Sequence, residues 1–224
     1  MDLSHIKNPD TLNIFCDASI QNLRNRKFRG CYGAIAVFMD QPIDEVYKVC
    51  NNTTNNNSEI KAIRASVCLA LKHRGKFNNI NIFSDSQISI SGIRDRIFRW
   101  NVINDSLCGY NDNPIANESV FIEVLGIITS SELRVNFYHQ KGHVNIDKKD
   151  DILHAGEVFK RTNNLDKVSN SFIKYISYWN NEVDNKSRQI LYELHLKNQN
   201  NDPIMFYPTD NFYSQLDTYR RLKQ

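Results

Sequence analysis

The sequence predicts an α/β fold built on a five-stranded mixed sheet, three antiparallel strands followed by two parallel ones, flanked by helices. Three observations predict it. Strand-like runs crowd the first part of the chain, a stretch of helical period then leads to a further strand, and "NIFCD" at 13–17 returns as "NIFSD" at 81–85. A strand reached through a helical crossover is expected to run parallel to its predecessor.

Each element has its own signal. "TLNIFCD", "CYGAIAVF" and "EVYKVC" combine β-branched and aromatic residues with polar breaks, which reads as a three-stranded meander. "SEIKAIRASVCLALKHRG" sets Ile60, Ile63, Val67 and Leu71 at helical spacing, with Ser58 as N-cap and Gly75 as stop. "NINIFSD" supplies the fourth strand. "SQISISGIRDRIFRW" and "NESVFIEVLGIITSS" read as helices, and "ELRVNFYH" alternates Leu133, Val135 and Phe137 as a fifth strand. The order is therefore βββαβααβ, followed by charged, Asn-rich sequence from 144 and a helix from "WNNEVDNKSRQILYELHLKNQ". We expect a domain over 1–197 and an extension over 198–224, an arm with two prolines, several aromatics and little period.

Composition bounds the class. The 224 residues, 41% hydrophobic, suffice for one sizeable core. "MDLSHIKNPD" has no apolar leader segment and no run approaches the ~18 apolar residues of a membrane span, so a cytoplasmic location and no membrane partner are expected. Five scattered cysteines without a CxxC pair indicate neither a disulfide framework nor a zinc site. The net charge of +3 is too small to establish nucleic-acid binding, although "NLRNRKFRG" gathers Arg24, Arg26, Lys27 and Arg29.

The doubled phrase carries the chemistry. Its flanks, "ASIQNLRNRK" and "SQISISGIR", share almost nothing, so duplication is not supported. Neighbouring strands of like orientation that each end in Asp bring Asp17 and Asp85 to one edge of the sheet, where such sheets bind ligands. Close carboxylates repel unless a proton or a cation sits between them, and Mg²⁺ with its preference for oxygen suits the place. Two readings of these acids stand side by side at this point: metal ligands, or caps of strands and turns.

"TTNNNSE" (53–59), "DAS" (17–19), "GCYGAI" (30–35), "SDSQ" (84–87), "GI" (92–93) with Trp100, "KGH" (141–143) and "NNEVD" (180–184) occur in the order of the type 1 ribonuclease H family, which the chain resembles from about 12 to 190. The resemblance implies a ribonuclease H-like fold. It also implies an endoribonuclease cutting the RNA strand of RNA/DNA hybrids to leave 5′-phosphate and 3′-hydroxyl ends. Catalytic residues would be Asp17, Glu59, Asp85, His143 and Asp184, the four acids holding two Mg²⁺ ions, with Mn²⁺ substituting. His139 competes with His143 within "HQKGH". Asn55, Asn56 and Gln87 fall where the family reads 2′-hydroxyls and minor-groove base edges. Thr54 and Asn117 fall where it grips a DNA phosphate, with helix capping the alternative for Asn117. Trp100 and Asn180 complete the substrate set.

Departures from the family matter too. Ile88 and Arg96 stand in place of two groove aromatics, and "NVINDSLCGYNDNP" lacks the basic handle of many bacterial members. Residues 144–179 form an insertion ending in the aromatic-rich "FIKYISYW"; this insertion and the 198–224 tail are the expected places for a protein partner of an otherwise monomeric enzyme. Within it, Asp147, Asp150, Asp151, His154 and Glu157 read as solvated rather than as metal ligands. Two other readings fit the sequence less well. A DNA-directed nuclease or integrase is disfavoured by the TTNN segment and Gln87, and a non-catalytic binding module by four mutually repelling carboxylates.

Overall fold

The structure is a computed structural model that describes residues 1–23, 28–103 and 106–199. Arg24, Arg26 and Lys27 of the basic run, and the tail from residue 200, lie outside the described residues. The chain divides into one compact unit, Met1–Leu191, and a second, Tyr192–Gln224. Among the described residues no helix is long and apolar enough to cross a membrane.

A short helix α1 (Leu3–Ile6), begun by a capping box on Asp2, precedes β1 (Thr11–Asn22), β2 (Phe28–Phe38) and β3 (Gln41–Asn51). These strands pair antiparallel in sequence order. Helix α2 (Asn55–Lys72) crosses the sheet to β4 (Asn79–Ser84), which lies parallel to β1. Next come α3 (Gln87–Ser91), a π-helical turn over Gly92–Arg96 and a 3-10 turn over Ile97–Arg99. A small antiparallel ribbon, β5 (Asn101–Ile103) and β6 (Ser106–Cys108), leads to α4 (Glu118–Ser130). Strand β7 (Val135–His139) then adds parallel to β4. Helices α5 (Lys149–Asn163) and α6 (Asn170–Gln199) follow. The sheet order β3-β2-β1-β4-β7 is the expected mixed sheet.

Three local expectations need correction. The N-cap of α2 is Thr54, not Ser58: the Thr54 hydroxyl accepts from the Asn57 N–H at 3.2 Å. Asparagines tolerate a first turn once a cap satisfies it, so the helix extends back through them and buries Ser58 against the Thr53 hydroxyl. The segment expected as one helix over 86–100 breaks after Ser91 into π and 3-10 turns. The charged sequence from 144, expected to lead to a helix beginning at Trp179, contains helix of its own. Ile152, Ala155 and Phe159 of α5 are buried, and "FIKYISYW" forms the first turns of α6, which starts at Asn170 rather than Trp179. Phe172, Ile173, Ile176, Trp179 and Val183 then recur at helical spacing on its buried face. Each such side chain contributes about 1.5–3 kcal/mol when fully buried.

Three parallel strands meet this helical layer through matched rungs. Asn13, Asn81 and Asn136 are register partners, and their amides form a ladder: Asn136 Nδ2 donates to Asn81 Oδ1, Asn81 Nδ2 to Asn13 Oδ1, and Asn13 Nδ2 to the Ile6 carbonyl. Two residues further along, Phe15, Phe83 and Tyr138 stack, with centroids 5.0 and 5.2 Å apart. Trp179 stacks on Phe15, Phe172 meets Phe83 edge-on, and Phe159 stacks on Tyr138. Two residues beyond the aromatics lie Asp17, Asp85 and Gln140.

Candidate active site

Strand β1 runs on past the point where β4 stops. The last register pair between them is Cys16 with Ser84, so Asp17 and Asp85 are the next residues of adjacent parallel strands. Glu59, in the second turn of α2, reaches the same place. One carboxylate oxygen from each of the three lies within 4.8 Å of the others. Asp17 is 3% and Glu59 7% exposed.

Such proximity has an electrostatic signature. Burial, then repulsion from Asp85, Glu59 and Asp184, pushes the Asp17 carboxyl up to about 10, against a bond from the Ala18 N–H to its Oδ1. Burial, then Asp85 and Asp184, pushes Glu59 up to about 9. Asp85 is also raised, by burial first, with His143 opposing and Asp184 adding. Glu59 Oε2 is buried and has no hydrogen-bond partner. A buried carboxylate oxygen without a donor, facing two further acids, fits a hard divalent cation.

Asp184 stands at the rim of this trio. Helix α6 carries it there, and its Oδ1 accepts from the Ser19 hydroxyl at 2.9 Å and from Arg188 Nε at 2.8 Å. His143 Nδ1 is 3.5 Å from Asp184 Oδ2, on a side chain 68% exposed and a backbone of left-handed φ. Gly142 beside it packs against Asp85: a Cβ there would lie 2.1 Å from Asp85 Oδ2. His139, the competitor of His143, is buried. Its Nε2 donates to the Asp85 carbonyl and its Nδ1 lies 3.1 Å from Thr162 Oγ1, while burial lowers its pKa.

The expected substrate residues fall into two groups. Thr54, Asn55, Asn56 and Gln87 are exposed, the first three at the start of the helix that carries Glu59 and Gln87 two residues beyond Asp85. Trp100 is half-buried, edge-on to Phe121 at 5.0 Å, while Ile88 is exposed. Asn117 occupies the N-cap position of α4 with left-handed φ, yet its side chain does not cap that helix; its Oδ1 accepts from Asn57 Nδ2 at 2.8 Å. Asn180 is the exception. It is 1% exposed and accepts from Gln140 Nε2 at 2.7 Å, so its side chain is turned to the interior.

Sequence reasoning assigned no part to Ser19, Gln140, Gly142, Asn181 or Arg188, although Ser19, Gln140, Gly142 and Asn181 lie inside quoted motifs. Among the insertion's acids and histidine, Asp147, Asp150, His154 and Glu157 are exposed. Asp151 Oδ2 accepts from the Asn145 N–H.

A mixed sheet that gathers carboxylates on adjacent parallel strands, with a helix bringing one more, defines an α/β protein with a buried acidic site. The family is equally plain: a model of the RNase H family matches residues 9–153, and the chain belongs to that family. Asp184 and all of α6 lie beyond the matched segment. Among solved structures, the PFV RNase H domain is similar at 14% identity and TM-score 0.52, over 67% of this chain and 93% of that one. The foamy viral protease-reverse transcriptase in complex with RNA/DNA hybrid is similar at 12% identity and TM-score 0.53, over 69% of this chain. The match spans only 20% of that viral chain. A search of curated proteins gave no match.

Proposed function

We propose that this chain is an endoribonuclease that hydrolyses the RNA strand of RNA/DNA hybrids with two Mg²⁺ ions, Mn²⁺ substituting, and leaves 5′-phosphate and 3′-hydroxyl ends. The observation that carries the reading is the trio Asp17, Glu59 and Asp85 with its unpartnered Glu59 oxygen. Membership of the RNase H family supports it, as does the fold shared with a viral enzyme seen in complex with RNA/DNA hybrid.

Asp17, Glu59 and Asp85 would hold the cations, with Asp184 assisting from the rim. When bound there, divalent cations supply an activated water and stabilise the departing 3′-oxygen. The chain supplies the rest. Thr54 and Asn117 hold a DNA-strand phosphate, and the exposed amides of Asn55, Asn56 and Gln87, donors and acceptors at once, read ribose 2′-hydroxyls. Trp100 contacts the DNA strand. His143, exposed and beside Asp184, shuttles a proton at the edge of the site.

The test is direct. Purified protein is incubated with matched, end-labelled RNA/DNA hybrid, duplex RNA, duplex DNA and single strands, with Mg²⁺, Mn²⁺ or EDTA. Cutting of the hybrid's RNA alone, abolished by EDTA and by Asp85→Asn while hybrid binding persists, is the expected result. Normal cutting by Asp85→Asn refutes the site, and cutting of duplex DNA refutes the substrate.

A further inference from the structure

Thirty-six residues (144–179) separate the loop that carries His143 from the Asn180–Asp184 motif. Despite that separation, two adjacent asparagines of α6 hold the loop on both sides of His143. Asn180 Oδ1 accepts from Gln140 Nε2 at 2.7 Å, between side chains that are each 1% exposed. Asn181 Nδ2 donates to the Val144 carbonyl at 3.0 Å. The Gln140 N–H is bonded in turn to the Ser84 carbonyl at the end of β4, one residue before Asp85. One helical turn after Asn180, Asp184 meets His143 Nδ1 and the Ser19 hydroxyl.

We propose that Asn180 and Asn181 act as positioning residues, a staple that fixes the 140–144 loop to the helix bearing Asp184 and so sets His143 and Gly142 against the carboxylate site. The inference rests on the functional reading above for its catalytic consequence, but the staple itself is a statement about the loop. It deepens that reading by moving Asn180 from the substrate surface to the support of the site. The chemistry is that of a fixed loop: a carbonyl and an amide are held at its two ends, and the residues between them have little freedom. A misplacement of about 1 Å in such a support costs on the order of a hundredfold in rate.

The half-buried Asn181 offers the cleaner perturbation, because truncating the fully buried Asn180 also strands the Gln140 amide in the interior. Asn181→Ala removes the donor to Val144, and Asn181→Asp sets an acceptor against that carbonyl. Asn181→Gln keeps an amide donor on a longer arm. Three readouts apply to the full chain: kcat and KM on the hybrid, the thermal midpoint, and limited trypsin cleavage after Lys141, located by fragment mass.

We expect Asn181→Ala and Asn181→Asp to lower kcat by about tenfold or more with KM within about twofold. Cleavage after Lys141 should quicken selectively, the midpoint should hold, and Asn181→Gln should recover part of both losses. Wild-type kcat together with wild-type cleavage after Lys141 overturns the proposal. So does a loss of kcat that appears only with a fallen midpoint and cleavage at every lysine, which assigns Asn181 to core stability. If the wild-type chain cuts no hybrid, the functional reading fails, and selective cleavage after Lys141 still decides the staple.

Discussion

Replacing Asp17 by Asn should make the metal-free protein more stable. Without a cation, Asp17 keeps its proton up to about pH 10 because it is buried and surrounded by other acids, whereas an unfolded aspartate releases it near pH 4. Between those limits the folded state binds a proton that the unfolded chain has given up. Stability is therefore full below about pH 4 and falls as pH rises, by about 1.4 kcal/mol per pH unit for one such group. At about pH 8 the cost for Asp17 alone has an upper bound of about 5–6 kcal/mol, and with protons shared among three acids we expect Asp17→Asn to recover about 2–4 kcal/mol. The substitution keeps the oxygen that accepts from the Ala18 N–H.

For a chain of this size each kcal/mol moves the midpoint by about 2–4 °C, so a rise of roughly 5–15 °C is expected. Thermal melts in EDTA at about pH 5 and about pH 8 measure it: the variant should exceed the wild type at the higher pH and approach it at the lower. Millimolar Mg²⁺ should raise the wild type, whose acids then have a counter-charge, and should raise the variant less. Equal midpoints in EDTA at both pH values, or equal gains from Mg²⁺, would refute the electrostatic account of the site.

Three further outcomes follow from the geometry. Gly142→Ala puts a Cβ against Asp85 Oδ2 and should cut hybrid cleavage by about tenfold or more with a change in midpoint of only a few degrees, read by kinetics and melting in parallel. The two histidines should separate: His139→Ala removes a buried ring bonded to the Asp85 carbonyl and should cost about 1–3 kcal/mol in denaturant titration, while His143→Ala should spare stability and slow cleavage. Asn81→Leu takes the middle rung from the amide ladder and strands Asn13 Oδ1, so denaturation should show a loss of about 1–3 kcal/mol; an unchanged midpoint would mean that the ladder contributes nothing.

What the sequence made legible was the part governed by strand parity and local period. Asp17 and Asp85 could be paired because five-residue phrases alike at four positions lead into both, and parallel pairing of Cys16 with Ser84 brings them together, although β1 continues past Asp17 to Asn22. Glu59 followed from "TTNNNSE". The breaks after Ser91 and the β5/β6 ribbon were not legible, since such short pieces take their shape from neighbours: Gly92, for instance, lies where a Cβ would strike the Phe121 ring. Helix α5 did have a signal in Ile152, Ala155, Gly156 and Phe159, which the surrounding charges obscured. Asn180 shows a different limit. Spacing put it on the face of Asp184, but only the fold shows that Gln140 is there to meet it.

The amide ladder has a consequence for how the site is assembled. Asn13, Asn81 and Asn136 lie four positions before Asp17, Asp85 and Gln140, and all three pairs are aligned by the same register. A slip of one residue between strands would turn an amide away from its partners and strand it unpaired. The same slip would carry a carboxylate about 3.3 Å along the strand and onto the other face of the sheet. Misaligned sheets are thus penalised at the far end of the strands, by groups that take no part in the chemistry. The three asparagines work as a datum line, from which the height of every residue in the parallel half of the site is measured.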